Sequence, residues 1–306
     1  MQHILLTGAT GFLGSHLLVA LLKEGYQLTI LKRSTSDTWR IKHLLQRVTA
    51  FDVDLVPVED CFKAKQVDAV IHTACNYGRN GQPAHEVAET NLLFGIQVLD
   101  AAVLCRAKLF INTDTFFHAG GSSHKYLNSY TLSKCQFVHW IQQQGSAITA
   151  VNLKIQHMYG PNDSPDKFVA WLIRQFAQEV ARVPLTDGRQ LRDFIYVDDV
   201  VAAYLAVLKS ADNLPEYSSY DVGTGTLTRV KDFVELLYDT YQDRIGACVT
   251  QLEFGAIEMR QGEMPTTAVD NRSLKELGWS VKISIQRGAL LLCKHMGSGA
   301  TETIRV

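Results

Sequence analysis

"TGATGFLGSHLLVALL", residues 7–22, carries three glycines, Gly8, Gly11 and Gly14, and follows a short apolar run that is typical of a strand. Its second half has the apolar spacing of an amphipathic helix. The glycines permit a tight turn and let the backbone approach a pyrophosphate, whose charge is stabilised by the amides at the start of the helix. A plain packing turn is the alternative, but the flanking strand and helix favour a dinucleotide-binding loop. The predicted contacts in this loop are Gly8, Thr10, Gly11, Phe12, Leu13 and Gly14.

Short strand-like runs alternate with helical patterns through the first half of the chain. The strand predictions are residues 4–6, 28–31, 69–71, 108–112 and 150–155, and the helix predictions are 14–23, 90–105 and 130–143. Strands separated by helices of this length require right-handed crossovers and a parallel sheet. The sequence therefore predicts an α/β fold with a doubly wound parallel sheet of the Rossmann type.

The regular alternation ends after "YGPNDSP", residues 159–165, and a mixed α/β pattern follows. In doubly wound folds ligands bind at the open end of the sheet, where a smaller lobe often closes over them. We predict a dinucleotide-binding domain over residues 1–161, to which 188–224 partly return. The substrate-binding lobe is predicted over 162–187 and 225–296, and 297–306 as a flexible tail.

The charge balance and the cysteines exclude several function classes. Lys and Arg number 30 against 31 for Asp and Glu among 306 residues, so no basic excess points to a nucleic acid. The six cysteines form no C-x-x-C pair and no zinc-like cluster, so we expect free thiols and no metal. The chain starts without a basic leader segment, and its apolar runs look too short to span a bilayer. We expect a cytoplasmic protein with no membrane insertion and a small-molecule partner.

The second strand ends in "TILKRS", residues 29–34, where NAD enzymes of this fold place an acid for the ribose 2′-hydroxyl. This chain has Lys32 and Arg33 instead, and a nearby arginine accommodates a 2′-phosphate. The pattern favours NADP(H), with Arg33 as the phosphate ligand. Two solvated cations on a loop are the alternative. Asp52 and Val53 are predicted to end the next strand near the adenine.

"SYTLSK", residues 129–134, places Tyr130 and Lys134 four positions apart and therefore on one face of a helix. An ammonium close to a tyrosine favours the phenolate and lowers the pKa of the phenol toward neutrality, where it can transfer a proton. The spacing is specific only behind a dinucleotide loop and a strand that ends in Ser or Thr. "FINTDTFF", residues 110–117, supplies such a strand, with Thr113, Asp114 and Thr115 at its end.

Taken in order, these motifs together with "VIHTA" (70–74), "ETNLLFG" (89–95), "YGP" (159–161) and "RDFIYVDDV" (192–200) resemble an extended short-chain dehydrogenase/reductase over nearly the whole chain. The resemblance implies that Thr113 binds the substrate carbonyl, that Tyr130 is the acid/base, and that Lys134 binds the nicotinamide ribose. It adds further cofactor contacts at Thr73, Ala74 and Asn91. Nucleotide-sugar members hold the diphosphate with arginines that match Arg192 and Arg260, for which surface ion pairs are the alternative.

The triplet Thr113-Asp114-Thr115 narrows the reaction. The family's 4,6-dehydratases carry Thr-Asp-Glu here, and the missing Glu removes the base needed for water elimination while hydride chemistry stays possible. Longer stretches, such as "LRDFIYVDDVVAAYL" and "LEFGAIEMRQGE", resemble the CDP-abequose and CDP-paratose synthase group. That group reduces the 4-keto group of CDP-4-keto-3,6-dideoxyhexoses with NADPH.

The resemblance implies a CDP-hexose or another nucleotide-diphosphate sugar as the partner. The residues expected to line the sugar pocket are Tyr77, Arg79, Thr115 and His157, with loop packing as the alternative for Tyr77, Arg79 and His157. Two other functions stay open: a nucleotide-sugar 4-epimerase with tightly bound NAD, and a non-catalytic dinucleotide-binding scaffold. The resemblance also implies a homodimer through the helices at Thr90 and Tyr130.

Overall fold

The apolar runs of the first half become buried strands, and the helical patterns between them become the crossovers. The computed structural model describes residues 1–79, 81–118, 128–246, 248–259 and 269–297. The strands are β1 (His3–Thr7), β2 (Gln27–Lys32), β3 (Thr49–Asp52), β4 (Ala69–His72), β5 (Leu109–Thr115), β6 (Thr149–Ile155), β7 (His157–Tyr159), β8 (Arg182–Leu185), β9 (Leu191–Arg192), β10 (Phe194–Tyr196), β11 (Tyr217–Val222), β12 (Thr228–Arg229) and β13 (Gln251–Phe254).

The helices follow the predicted positions closely in the first half. They are α1 (Phe12–Lys23), α2 (Val58–Lys63), α3 (Ala84–Ala88), α4 (Phe94–Leu104), α5 (Asn128–Gln143), α6 (Phe168–Ala177), α7 (Val197–Lys209), α8 (Val230–Arg244), α9 (Arg272–Glu276) and α10 (Ile285–Gly297). A π-helical turn, Glu89–Leu93, joins α3 to α4, so the predicted helix 90–105 is the second part of a longer helical stretch.

Seven strands form one sheet in the order β11-β6-β5-β4-β1-β2-β3, with every pair parallel. The predicted doubly wound parallel fold is confirmed. The chain runs outward from β1 to β3, and then restarts on the other side of β1 with β4. Ligands of such sheets bind beyond the carboxyl ends of the strands at this reversal, here between β1 and β4.

The sheet is covered by helices on both faces because successive side chains of a buried strand point to opposite sides. Leu109 and Ile111 of β5 belong to the core that includes α1 and α7, whereas Phe110 belongs to the core that includes α2, α4 and α5. The same alternation places consecutive polar residues at the end of β5 on opposite faces.

The helical stretch from Ala84 to Leu104 is 21 residues long and contains an 18-residue window with a mean hydropathy of 1.4, so by length and composition it could cross a membrane. This differs from the expectation that the apolar runs are too short. Its surroundings give the physical reason for its composition: Val98 and Leu99 are fully buried against the sheet, and Asn91 within it hydrogen-bonds to Ser133 on α5. Part of the stretch is therefore packed against the sheet and α5.

The residues after β6 build three small two-stranded sheets, β7 with β10, β8 with β13, and β9 with β12. Asp199 of α7 ties the C-terminal segment to the main sheet, because its carboxylate accepts the backbone N–H groups of Lys282 and Ile283. Trp279 donates its indole N–H to the carbonyl of the same residue. The division into two lobes stays a prediction, and residues 298–306 of the predicted tail lie outside the described residues.

Candidate active site

The glycine loop packs its backbone more tightly than any side chain would permit. Gly8 has a φ of +70°, and a Cβ on it would lie 2.6 Å from the Thr73 hydroxyl. A Cβ on Gly14 would lie 2.1 Å from the carbonyl oxygen of Gly8. Helix α1 starts behind Gly11, without a side-chain cap and without an acidic residue in its first turn. The first backbone N–H groups of α1 therefore have no side-chain cap, which leaves them able to bind a pyrophosphate.

Thr7, at the carboxyl end of β1, joins this loop to β4. Its hydroxyl accepts the backbone N–H groups of Thr73 and Ala74 and hydrogen-bonds to Nδ1 of His72 at 3.0 Å. The Thr73 hydroxyl donates back to the carbonyl of Thr7. The predicted cofactor residues Thr73 and Ala74 therefore lie against Gly8, at the reversal of the strand order.

Arg40, which the sequence analysis missed, bridges the loop to a distant segment. Its guanidinium donates to the carbonyl of Thr10 at 3.2 Å and to that of Asn162 at 2.8 Å. Phe12 contacts His16 edge-on, with 5.3 Å between ring centres, and Leu13 is buried in the core. The predicted loop residues beyond the glycines thus fix the shape of the loop.

The cations at the end of β2 have different surroundings. Lys32 forms an ion pair with Asp52 at the end of β3, so much of its charge is compensated. The backbone N–H of Val53 donates to the carbonyl of Lys32. Arg33 is exposed, and its guanidinium has no hydrogen bond or ion pair within the described parts of the chain. Of the two predicted phosphate ligands, Lys32 is therefore neutralised by an ion pair, whereas Arg33 keeps its full charge for a phosphate.

Asn91, in the π-helical turn, connects the segment after β4 to helix α5. Its side-chain oxygen accepts the N–H of Asn76 at 2.6 Å, and its side-chain amide donates to the carbonyl of Asn76 and to the Ser133 hydroxyl. Ser133 in turn donates to the carbonyl of Tyr130. A π turn of this kind is rare and is frequent at functional sites.

Tyr130 and Lys134 both lie on α5 and are 5% and 2% exposed. Burial, followed by the nearby Cys75 thiol, raises the pKa of Tyr130 well above its ordinary value, while a hydrogen bond from Thr115 acts to lower it. The pKa of Tyr130 therefore moves opposite to the predicted direction, and the cation that acts to lower it is Arg79. Burial also lowers the pKa of Lys134, against the opposing effect of Asp114. Its ammonium has no hydrogen bond or ion pair among the described residues.

The polar end of β5 divides between the two faces of the sheet. Thr113 hydrogen-bonds to the phenol of Tyr204 on α7 at 2.6 Å, and Thr115 lies near enough to Tyr130 to lower the pKa of that phenol. Asp114 points the other way and accepts the side-chain amide of Asn152 on β6 at 2.7 Å. The structure thus brings Tyr130 together with Thr115, and it pairs the predicted carbonyl ligand Thr113 with Tyr204.

Two of the predicted pocket residues lie beside Tyr130. The ring of Tyr77 stacks on that of Tyr130, with 4.9 Å between ring centres and 28° between planes. Arg79 forms an ion pair with Asp166 at 2.7 Å, and its buried Nε has no hydrogen-bond partner among the described residues. Lys167, which the sequence analysis also missed, lies with its ammonium 3.4 Å from the centre of the Tyr77 ring.

His157 and Arg192 line a small cleft with Phe116 and Leu227. His157 is partly buried, with its ring 4.6 Å from that of Phe116, and its buried Nδ1 has no hydrogen-bond partner among the described residues. Burial and the charge of Arg192 lower the pKa of His157 to about 3, so the imidazole is neutral near pH 7. Arg192 is 7% exposed. Arg260, the second predicted diphosphate ligand, lies outside the described residues.

The three residues that the sequence did not indicate were missed for the same reason. Arg40, Lys167 and Tyr204 reach the site from segments far along the chain, and no local motif marks them. Tyr204 sits in a buried helix as one more apolar position, and Lys167 follows a loop that ends in proline. The alternation of polar residues on β5 could have indicated that Thr113 and Asp114 point to opposite faces.

The fold and the site define a dinucleotide-dependent enzyme of the short-chain dehydrogenase/reductase type, with a tyrosine and a lysine on one buried helix face beside a glycine loop. The model of the NAD dependent epimerase/dehydratase family matches residues 4–223. The chain belongs to this family, which comprises extended short-chain dehydrogenases/reductases.

Individual relatives agree with that assignment. The CDP-abequose synthase of Salmonella muenchen is 33% identical over 291 residues, which cover 94% of this chain and 95% of the relative. A putative UDP-glucose 4-epimerase of Methanocaldococcus jannaschii is 27% identical over 93% of this chain and 95% of its own length. The solved UDP-glucose 4-epimerase of Thermotoga maritima, with UDP-glucose, has a TM-score of 0.83 at 22% identity, covering 98% and 100% of the two chains. The resemblance to the CDP-abequose synthase group is confirmed.

Proposed function

We propose that this enzyme reduces, with NADPH, the 4-keto group of a nucleotide-linked 4-keto-6-deoxy or 3,6-dideoxy hexose, with CDP as the nucleotide. The product is an abequose- or paratose-type deoxysugar for surface polysaccharide. The observation that carries the proposal is the contact between buried Tyr130 and the Thr115 hydroxyl, at the position where the family's dehydratases carry a glutamate base. The 33% identity to a CDP-abequose synthase supports the choice of substrate.

In this mechanism Tyr130 donates the proton that the sugar O4 takes up when the ketone becomes an alcohol. Its raised pKa keeps the phenol protonated, as a proton donor must be. Thr113 and Thr115 supply hydroxyls to orient the carbonyl. NADPH, when bound, supplies the hydride. Lys134, a buried lysine without a hydrogen bond or ion pair among the described residues, would hold the nicotinamide ribose and stabilise negative charge that develops beside Tyr130.

NADPH is proposed over NADH because of the charges at the end of β2. The pair Lys32–Asp52 leaves Arg33 as the exposed cation at the position of the 2′-phosphate. The Ser34 hydroxyl and N–H are both engaged by Asp54. These contacts fold the segment around Arg33 and leave its guanidinium available for a bidentate contact with a phosphate.

The cleft at His157 and Arg192 is the proposed place of the sugar and its diphosphate, with Arg260 as a second arginine from the proposed substrate lobe. Neutral His157 offers a hydrogen bond to a sugar hydroxyl, and Phe116 and Leu227 offer apolar walls to a deoxygenated sugar. We further propose that the lobes divide as the sequence analysis predicts, and that the enzyme works in the cytoplasm.

A homodimer through α4 and α5 is also proposed. Four large exposed apolar side chains lie on these helices and on the π turn: Leu93, Leu104, Leu132 and Trp140, which are 55%, 75%, 59% and 49% exposed. Exposed apolar residues on adjacent helices are typical of subunit contacts. Sedimentation of the wild-type protein and of a Leu132→Lys variant would test this contact, and a monomeric wild-type protein would contradict it.

The test of the reaction is incubation with NADPH and a CDP-4-keto-3,6-dideoxyhexose, followed by NADPH oxidation and NMR of the product. Tyr130→Phe should reduce turnover by at least about 100-fold, in the range of a lost general acid, and leave NADPH affinity within about twofold. Tyr238→Phe, on the outer part of α8, is the matched control and should stay active. Full turnover by Tyr130→Phe would contradict the proposed role.

A second variant tests the cofactor. Arg33→Ala should weaken NADPH by about 10–100-fold and leave NADH nearly unchanged, because only NADPH carries the phosphate. Arg272→Ala, an exposed arginine already paired with Asp270, is the control. Equal losses of affinity for NADPH and NADH would contradict the proposed preference for NADPH.

The same Tyr-Lys pair would also serve a nucleotide-sugar 4-epimerase, which the relationship to the putative UDP-glucose 4-epimerase keeps in consideration. An epimerase retains NAD and consumes no net NADPH. Purified protein that carries stoichiometric NAD and interconverts two sugar epimers would establish that alternative.

A further inference from the structure

Tyr77 lies where its ring can control the orientation of Tyr130. The two rings stack with 4.9 Å between centres, and Phe117 approaches the same phenol edge-on at 6.4 Å. Tyr130 is thereby confined by an aromatic ring on one side and by an aromatic edge on another. A phenol confined in this way has a narrow range of orientations, which matters for a group that must deliver a proton along one line.

The turn that carries Tyr77 is fixed to the helix that carries Tyr130. Asn91 binds both the N–H and the carbonyl of Asn76, and it donates to Ser133, which lies between Tyr130 and Lys134 on α5. The Asn76 side chain accepts the N–H of Gly78 on the far side of Tyr77. One buried amide therefore sets the distance between the turn and the helix.

A cation holds the Tyr77 ring from another segment of the chain. The Lys167 ammonium lies 3.4 Å from the ring centre, and the Arg79 guanidinium lies 5.3 Å from it. Arg79 is anchored by Asp166, the neighbour of Lys167. Cations over a tyrosine face are attracted by its electron density, so these contacts keep the ring in place.

We propose that Tyr77 is a positioning residue whose ring, held beneath Lys167, orients the phenol of Tyr130 for proton delivery to the sugar oxygen. This inference rests on the reductase function proposed above. It goes beyond a place in the sugar pocket, because Tyr77 acts through Tyr130 and its ring, with no need of its hydroxyl. It also assigns a role to Lys167, which no sequence motif indicates.

The charges around Tyr130 determine how its titration responds. The groups that face it or its stacked partner are Cys75, Tyr77 and Arg79 from the turn after β4, Asp114 from β5, Lys134 from α5, and Asp163 and Lys167 from the segment before α6. Burial is the largest cause of the raised pKa of Tyr130. Removing the Tyr77 ring admits water, so the pKa of Tyr130 should fall toward its ordinary value.

The kinetic test compares Tyr77→Phe with Tyr77→Leu in the full-length enzyme. The phenylalanine variant keeps the stack and should retain at least about half of kcat, whereas the leucine variant should lose about 30–100-fold in kcat with NADPH affinity within about twofold. Lys167→Met should lose about 3–10-fold in kcat. Lys231→Met is the matched control, a lysine whose ammonium lies 5.0 Å from the Phe254 ring, and it should match wild type. Equal kcat in the two Tyr77 variants would overturn the proposal.

A spectroscopic titration decides the matter without turnover. The tyrosinate absorbance of Tyr130 is obtained as wild type minus Tyr130→Phe, and again as Tyr77→Leu minus the double variant. The second titration should lie lower by about one pH unit or more. Because Tyr130 acts as an acid, the high-pH loss of activity should move down by the same amount. Identical titrations would overturn the proposal. If the wild-type protein reduces no ketosugar, the proposed function is refuted. This titration would still test the role of Tyr77.

Discussion

Replacing Gly14 by alanine sets local helix preference directly against backbone packing. Gly14 lies inside α1, where alanine is favoured over glycine by about 1 kcal/mol. Against this gain, the new Cβ would lie 2.1 Å from the Gly8 carbonyl oxygen and 2.7 Å from its carbon. A Cβ essentially never approaches another heavy atom closer than 3.0 Å, so the two segments must separate by about 0.9 Å. The obstacle is backbone on both sides, which no rotamer change can relieve.

Overpacking of a tight site costs about 1–3 kcal/mol or more, and an obstacle made of backbone places Gly14→Ala at the upper end. After the helix gain is subtracted, we expect a net destabilisation of about 2 kcal/mol. Gly11→Ala is the matched comparison, because its Cβ would lie 3.2 Å from the same oxygen and its backbone is extended. Gly11 is the residue before the helix, so alanine there should cost under about 1 kcal/mol. Its methyl would instead stand in the path of the pyrophosphate.

The two variants should therefore separate stability from binding. Urea unfolding followed by circular dichroism should place Gly14→Ala about 2 kcal/mol below wild type and Gly11→Ala within about 1 kcal/mol of it. Titration of the folded proteins with NADPH should show at least a tenfold loss for Gly11→Ala, since the backbone can no longer approach the phosphates. A Gly14→Ala protein as stable as wild type would refute the steric argument. A Gly11→Ala protein with full NADPH affinity would refute the placement of the pyrophosphate.

Three further outcomes follow from buried polar groups. Burial raises the pKa of Asp163 to about 6 from 3.8, so its ionisation opposes folding as pH rises from 4 to 6; Asp163→Asn should be more stable at pH 7 by up to about 3 kcal/mol in thermal melts. The pKa values of His72 and His157 in the folded protein are about 3, below the ordinary 6.5, so the unfolded chain binds protons first and the folded protein loses stability as pH falls from 6.5 toward 3. His157→Phe should remove about 2 kcal/mol of the stability loss between pH 7 and pH 5, measured by urea unfolding. Asn91→Ala leaves the Asn76 backbone unsatisfied and should lower stability by about 1–3 kcal/mol in the same measurement, together with kcat.

The fold was accessible from the sequence because the signals for it are local. A strand of β-branched and aliphatic residues followed by glycines and an amphipathic helix is defined within about 20 positions, and repetition of that unit implies a parallel sheet. The π turn was not accessible, because five residues are too few for a local pattern to distinguish it from an α-helical turn. Asn91 within it was singled out only through the resemblance.

The site was predicted where one segment supplies the chemistry and was missed where two segments meet. Tyr130 and Lys134 share a helix face, so their spacing sufficed. The partners of Lys32 and Thr113 lie 20 and 91 positions away, and neither pairing leaves a trace in the local pattern. The direction of the Tyr130 pKa was predicted wrongly for the same reason: burial is a property of the assembled site, and it is the largest cause of the raised pKa.

The end of β5 explains why this site suits reduction better than elimination. Elimination as the family's dehydratases perform it needs an acid and a base from the Asp and Glu at this strand end. Here Asp114 is 3% exposed, accepts an amide hydrogen bond from Asn152, and lies near enough to Tyr130 and Lys134 to raise the pKa of both. Thr115 supplies a hydroxyl where the dehydratases carry the glutamate, and a hydroxyl cannot remove a carbon-bound proton near neutral pH. The end of β5 therefore offers the proposed pocket hydroxyls for a ketone and lacks the second carboxylate that elimination needs, and with Tyr130 as proton donor this arrangement favours transfer of a hydride and a proton.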